Sequence, residues 1–104
     1  MTGETLWNII IDSLTSSEEE LQTTTGLWFK VSSSNGKLYV NRATRHEPSS
    51  KLTTERVISK RDFLYVNSYY DRWTKGDTGI RYKVSRKSRN TAYIFALVEK
   101  YSDA

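Results

Sequence analysis

The chain of 104 residues contains no cysteine, one proline, one histidine and five glycines. Without cysteine there is no disulfide framework, no thiolate zinc knuckle and no thiol nucleophile, so the fold rests on packing alone. That fits a reducing compartment, and a cytoplasmic location is expected. Long apolar runs are missing too. The most apolar N-terminal stretch, Leu6 to Ile11, is too short to cross a bilayer, lacks a basic flank, and runs into Asp12 and then Glu18-Glu19-Glu20. It reads as neither signal peptide nor membrane anchor, and no membrane partner is expected.

The scattered glycines build no phosphate-cradling loop. One histidine among dispersed acids does not supply the three or four convergent ligands that a metal ion requires, so neither metal nor cofactor is expected. His46, in Arg45-His-Glu-Pro48, is the sole histidine available for acid–base work. A loop histidine is uncommitted in most proteins. The chain therefore reads as a non-enzymatic module without catalytic residues, and Glu18-Glu19-Glu20 as a solvated acidic turn.

What is present is an uneven charge. Residues 1–55 hold 5 Lys/Arg against 7 Asp/Glu, a balance of −2, and residues 56–104 hold 11 against 5, a balance of +6. A basic half steers a protein toward polyanions, although a positive balance also serves solubility. The sharpest feature is Gly79 to Val98, which runs Arg81, Lys83, Arg86, Lys87 and Arg89 into an apolar helix pattern with no acid among them. Cations at a helix start oppose the partial positive charge of its unpaired N–H groups, at about 0.3–1 kcal/mol each unless an anion offsets them. The pattern hints at an anion site.

The length suits a single domain over residues 1–104. Thr2 is placed to cap a first helix whose Leu6, Trp7, Ile10, Ile11 and Leu14 share one face. From there the period changes to two. Leu27, Phe29 and Val31 alternate with Trp28 and Lys30, and Leu38 and Val40 alternate with Lys37, Tyr39 and Asn41, on either side of Asn35-Gly36, the pair preferred by a positive-φ hairpin turn. Leu21 to Thr24 adds a candidate short strand. Thr44 to Glu55 is polar and aperiodic, which predicts an exposed, mobile loop.

Ser59 and Asp62 form a loose capping box before a second helix with Phe63, Val66, Tyr70 and Trp73 on one stripe, ended by Gly76. Ile80, Tyr82 and Val84 alternate with Arg81, Lys83 and Ser85 as in a third strand. Ser88 or Asn90 caps a last, almost wholly apolar helix. The expected class is α+β, a small, mostly antiparallel sheet of three or four strands with helices in the order α-β-β-α-β-α.

If the apolar strand residues, Leu27 and Tyr82 among them, face the core, Trp28, Lys30, Tyr39, Arg81 and Lys83 share the opposite face. Rings interleaved with cations are how single-stranded nucleic acid is held. Arg86, Lys87, Ser88, Arg89 and Asn90 at the last helix start then supply phosphate contacts. In the competing arrangement Trp28 and Tyr39 pack under the first helix, with Lys and Arg stems over them. The leading expectation is nucleic-acid or other polyanion binding through this segment. The alternative is a protein-interaction module or homodimer that uses the aromatic surface of Tyr65, Tyr69, Arg72 and Trp73. No family motif stands in the chain. Its hairpin and the helix starts Ile58-Ser-Lys-Arg-Asp-Phe63 and Arg89-Asn-Thr-Ala-Tyr-Ile94 resemble, in a general way, small bacterial accessory proteins carried on mobile elements.

Overall fold

Thr2 opens the first helix as its sequence demands: its hydroxyl accepts the Thr5 N–H at 3.0 Å, satisfying one of the donors orphaned at a helix start. The computed structural model describes residues 2–102. In chain order they form α1 (Gly3–Thr15), β1 (Glu19–Gln22), β2 (Trp28–Ser34), β3 (Lys37–Arg42), β4 (Arg56–Ile58), α2 (Lys60–Asn67), α3 (Tyr70–Thr74), α4 (Ile80–Ser85) and α5 (Thr91–Tyr101). The class is α+β.

The four strands make an antiparallel meander in the order β1-β2-β3-β4. Asn35 (φ 54°) and Gly36 (φ 73°) both take the left-handed region and pin the β2–β3 register with Ser34 opposite Lys37. Alternation along the strands sends Phe29, Val31, Leu38, Val40 and Ile58 into the core, under Leu6, Trp7, Ile10 and Leu14 of α1 and the apolar body of α5. Leu27 departs from that pattern. It precedes β2 in the turn and stays 36% exposed.

Ser59 accepts the Asp62 N–H at 3.2 Å, so half of the capping box forms. The Asp62 carboxylate turns instead to the Asn90 side chain, at 3.0 Å. The expected second helix breaks into α2 and α3 at Ser68-Tyr69. Gly76 (φ 90°) ends α3 in a Schellman arrangement, with the Gly76 N–H on the Trp73 carbonyl and the Asp77 N–H on that of Arg72, both at 3.1 Å.

The largest difference from the sequence pattern is at residues 80–85, which form α4 and not a strand. Six residues cannot separate the two periods, because Ile80 and Val84 are spaced both i, i+4 and as alternating strand positions. The structure takes the helical option: Ile80 and Val84 are buried and Tyr82 between them is 70% exposed. Sheet positions are filled instead by β1 and by β4, three residues long and emerging from the polar loop. The element order is accordingly α-β-β-β-β-α-α-α-α.

That loop is exposed but tied down. Ser50 and Leu52 are buried, and residues 48–50 lie beside Trp28, with the Trp28 N–H donating to the Pro48 carbonyl and the Ser50 N–H to that of Trp28, both at 2.8 Å. The Glu47-Pro48 peptide is cis. Among the described residues no helix is long and apolar enough to cross a membrane.

Candidate nucleic-acid interface

With Ile80 and Val84 anchored, α4 points its remaining side chains outward, over aromatic rings supplied by α2 and α3. Lys83 Nζ lies 5.3 Å from the centre of the Tyr69 ring, and Lys87 Nζ 5.8 Å from that of Tyr65. The Arg86 guanidinium is 5.8 Å from Tyr82 on its own helix. Arg81 reaches back 5.9 Å from Trp73, which itself stacks on Phe95 with centroids 4.5 Å apart, and donates to the Thr24 hydroxyl at 3.0 Å. Arg72 lies 5.8 Å from Tyr69 and pairs with Asp77 at 3.3 Å. Each exposed cation–ring contact contributes about 0.5–1 kcal/mol. Together they order the cationic side chains without neutralising them.

Among the described residues, none of Arg81, Lys83, Arg86, Lys87 and Arg89 forms a salt bridge with a carboxylate. The charges of Lys83, Arg86 and Lys87 are thus seated on rings and left without a carboxylate partner. The helix-start conflict posed by the sequence is lifted for two of the cations, while Arg89 still directly precedes Asn90, the N-cap of α5. Lys83 is in the last turn of α4 and Arg86 is its C-cap residue, where the helix dipole favours positive charge.

The basic run and the aromatic stripe, which the sequence presents as rival surfaces, are therefore one surface. Two shallow hollows lie along it and share Lys87. One, of about 380 Å³, is lined by Tyr82, Lys83, Arg86 and Lys87. The other, of about 470 Å³, is lined by Ser59, Arg61, Asp62, Tyr65 and Lys87. Each combines a tyrosine with cations.

Ser88 and Asn90 do not join this surface, since both are buried. The Ser88 hydroxyl accepts the Asn90 N–H at 3.2 Å, and the Asn90 amide donates to Asp62 and, at 3.4 Å, to the Val57 carbonyl. Neither side chain caps the first turn of α5 in the expected way, and Asn90 Oδ1 is buried without a partner. Arg89 is exposed, and its carbonyl accepts from Arg56 at 2.8 Å.

Trp28, Lys30 and Tyr39 are half-buried on the outer face of the sheet, as strand alternation requires. The first helix does not cover them, because it packs on the Phe29 and Val31 side. Arg81 and Lys83 do not accompany them. As part of α4 they belong to the helical layer, packed with α3 and α5.

On that outer face the polar loop closes over Glu20. Its carboxylate side chain is only 1% exposed and accepts from the Thr44 N–H at 2.7 Å, the Thr44 hydroxyl at 3.1 Å and the Arg45 N–H at 3.1 Å, while His46 Nδ1 lies 3.0 Å from it. An ionised carboxylate only accepts, so Nδ1 carries the proton. The His46 ring stacks on Trp28 with centroids 3.9 Å apart and planes 13° from parallel. Burial works against ionisation of Glu20, yet the hydrogen bonds from Thr44, His46 and Arg45 outweigh it and hold the carboxyl at about 2. The acidic turn expected to be solvated thus contains a buried anchor, and His46 closes the loop.

Sequence reading missed Tyr82 and Arg61 for the surface, and Glu20 for the latch. The strand period places Tyr82 in the core, whereas Ile80 and Val84 at i, i+4 are the signal for a helix. Compared with known proteins, the chain matches no family model, no curated protein and no solved structure.

Proposed function

We propose that this protein is a non-enzymatic binding module whose α2–α4 surface engages the phosphate backbone of nucleic acid. The observation that carries the reading is the group Lys83, Arg86 and Lys87, three cations seated on tyrosine rings and not paired with any carboxylate among the described residues. Backbone contacts supply most of the sequence-independent affinity for nucleic acid, and each neutralised phosphate releases counterions. Arg61 and Arg72 extend the patch along α2 and α3. Arg89 stands beside it at the α4–α5 junction. The cations laid over Tyr65, Tyr69 and Trp73 also distinguish this surface from a bare apolar docking face for a protein partner.

Fluorescence anisotropy with labelled single-stranded and duplex oligonucleotides, read at low and moderate salt, tests the proposal. Binding that weakens linearly in log affinity against log salt, with a slope reduced by about one unit for each phosphate-contacting cation removed, is the expected result. Absence of binding at low salt overturns it.

A further inference from the structure

Resting on that reading, we infer that the ligand is a single strand, with an unpaired base stacked on Tyr82 while Arg86 and Lys87 hold the flanking phosphates. Tyr82 is 70% exposed, the most open large hydrophobic side chain among the described residues, ahead of Val57 and Leu27. A tyrosine left this open gains little by burial in the folded monomer, and no packing requirement of α4 explains it, since Ile80 and Val84 already anchor the helix. The ring lines a hollow with Lys83, Arg86 and Lys87, so an aromatic platform and three cations converge on one spot.

The chemistry favours a single strand over a duplex. A paired base presents only its edge in a groove, and its faces are occupied by its neighbours, so an exposed ring finds nothing to stack on in an intact helix. In a single strand every base offers a π-face, and stacking of this kind contributes enough for a several-fold loss on alanine substitution. The second hollow shares Lys87 and holds Tyr65 and Arg61, but the Asp62 carboxylate also lines it and disfavours a phosphate there. Tyr65 is half-buried and packed edge-on against Tyr69, which leaves Tyr82 as the principal platform.

The decisive measurement is anisotropy of the full chain with a fluorescent oligothymidine single strand and with a duplex of matched length, comparing wild type, Tyr82→Ala, Tyr82→Phe and Arg86→Ala/Lys87→Ala. Tyr82 is exposed and alanine is a strong helix former, so circular dichroism and thermal melting should match wild type. The inference expects Tyr82→Ala to bind the single strand at least about fivefold more weakly, Tyr82→Phe to bind nearly as wild type, and duplex binding to be little altered by either. If Tyr82→Ala binds the single strand as wild type does while the double substitution weakens both ligands, the stacked base is wrong and the backbone reading survives. If wild type binds heparin but neither oligonucleotide at low salt, both fall, and the patch serves another polyanion.

Discussion

Two regions of this molecule use the same ingredients, aromatic rings beside ionisable side chains, and leave them in opposite states. On the outer face of the sheet, the Glu20 carboxylate is closed in by Thr44, Arg45 and His46, and the His46 ring lies flat on Trp28. The Glu20 charge is met there by donors from within the chain. Around α4, Lys83, Arg86 and Lys87 lie over the rings of Tyr69, Tyr82 and Tyr65 and form no salt bridge among the described residues. The first arrangement ties down a loop; the second leaves cationic charge without a carboxylate partner. Rings interleaved with cations are thus an ambiguous signal, and the location of the counter-charge resolves it.

The comparison can be broken most severely from beneath. Phe95 is buried under Trp73 and Tyr70 and supports the α3–α4 surface from α5. Phe95→Ala should destabilise the protein by about 3–5 kcal/mol in urea unfolding, removing the basic surface by loss of the core. A loss below about 1 kcal/mol would mean that the ring stack does not support that layer.

Arg86→Ala/Lys87→Ala should weaken oligonucleotide binding by about tenfold or more at low salt and flatten the salt slope by up to about two units. Stability should stay within about 0.5 kcal/mol, as for ordinary surface substitutions. A large stability change with unaltered binding would reverse the roles assigned to the two regions.

Glu20→Gln addresses the other side. It should lower the unfolding midpoint and speed hydrogen exchange in residues 44–50, with nucleic-acid binding unchanged. The sign of its pH dependence follows from the depressed pKa. Folding favours ionised Glu20, so this contribution is fully present above the ordinary carboxyl value of 4.5 and is lost as pH falls toward about 2. Thermal melts between pH 5 and pH 2 should therefore be flatter for the variant than for wild type. The smallest effect is expected at Lys30, on the outer face near Glu18 at 3.6 Å. Lys30→Ala should change oligonucleotide affinity by less than about twofold, as a cation outside the binding surface. A tenfold loss there would move the interface to the sheet.

Much of the architecture was legible because local physics fixes it. Thr2 and Ser59 cap where their hydroxyls reach the third residue of a helix, Asn35-Gly36 turns where positive φ is needed, and Gly76 stops α3 for the same reason. The strand at β4 and the helix at α4 were not legible. Arg56–Ile58 is too short to show a period, and Ile80, Tyr82 and Val84 satisfy both periods until the surroundings choose. The candidate surface was half legible. Its cations were evident from a stretch without acids, but their rings come from residues as many as 22 positions away, as with Lys87 over Tyr65. The Glu20 latch spans 24 to 26 residues and leaves no local trace.

The sequence alone therefore determined the helix caps, the hairpin register, the apolar faces and the uneven distribution of charge, all of which depend on neighbours within a turn or along a strand. Only the tertiary structure decided which charges are neutralised inside the chain and which remain free. It also decided that the basic run and the aromatic stripe form one surface, and that Tyr82 faces solvent. Charge pairing and ring contacts act over a few ångströms in space, and the chain brings those groups together only when it folds.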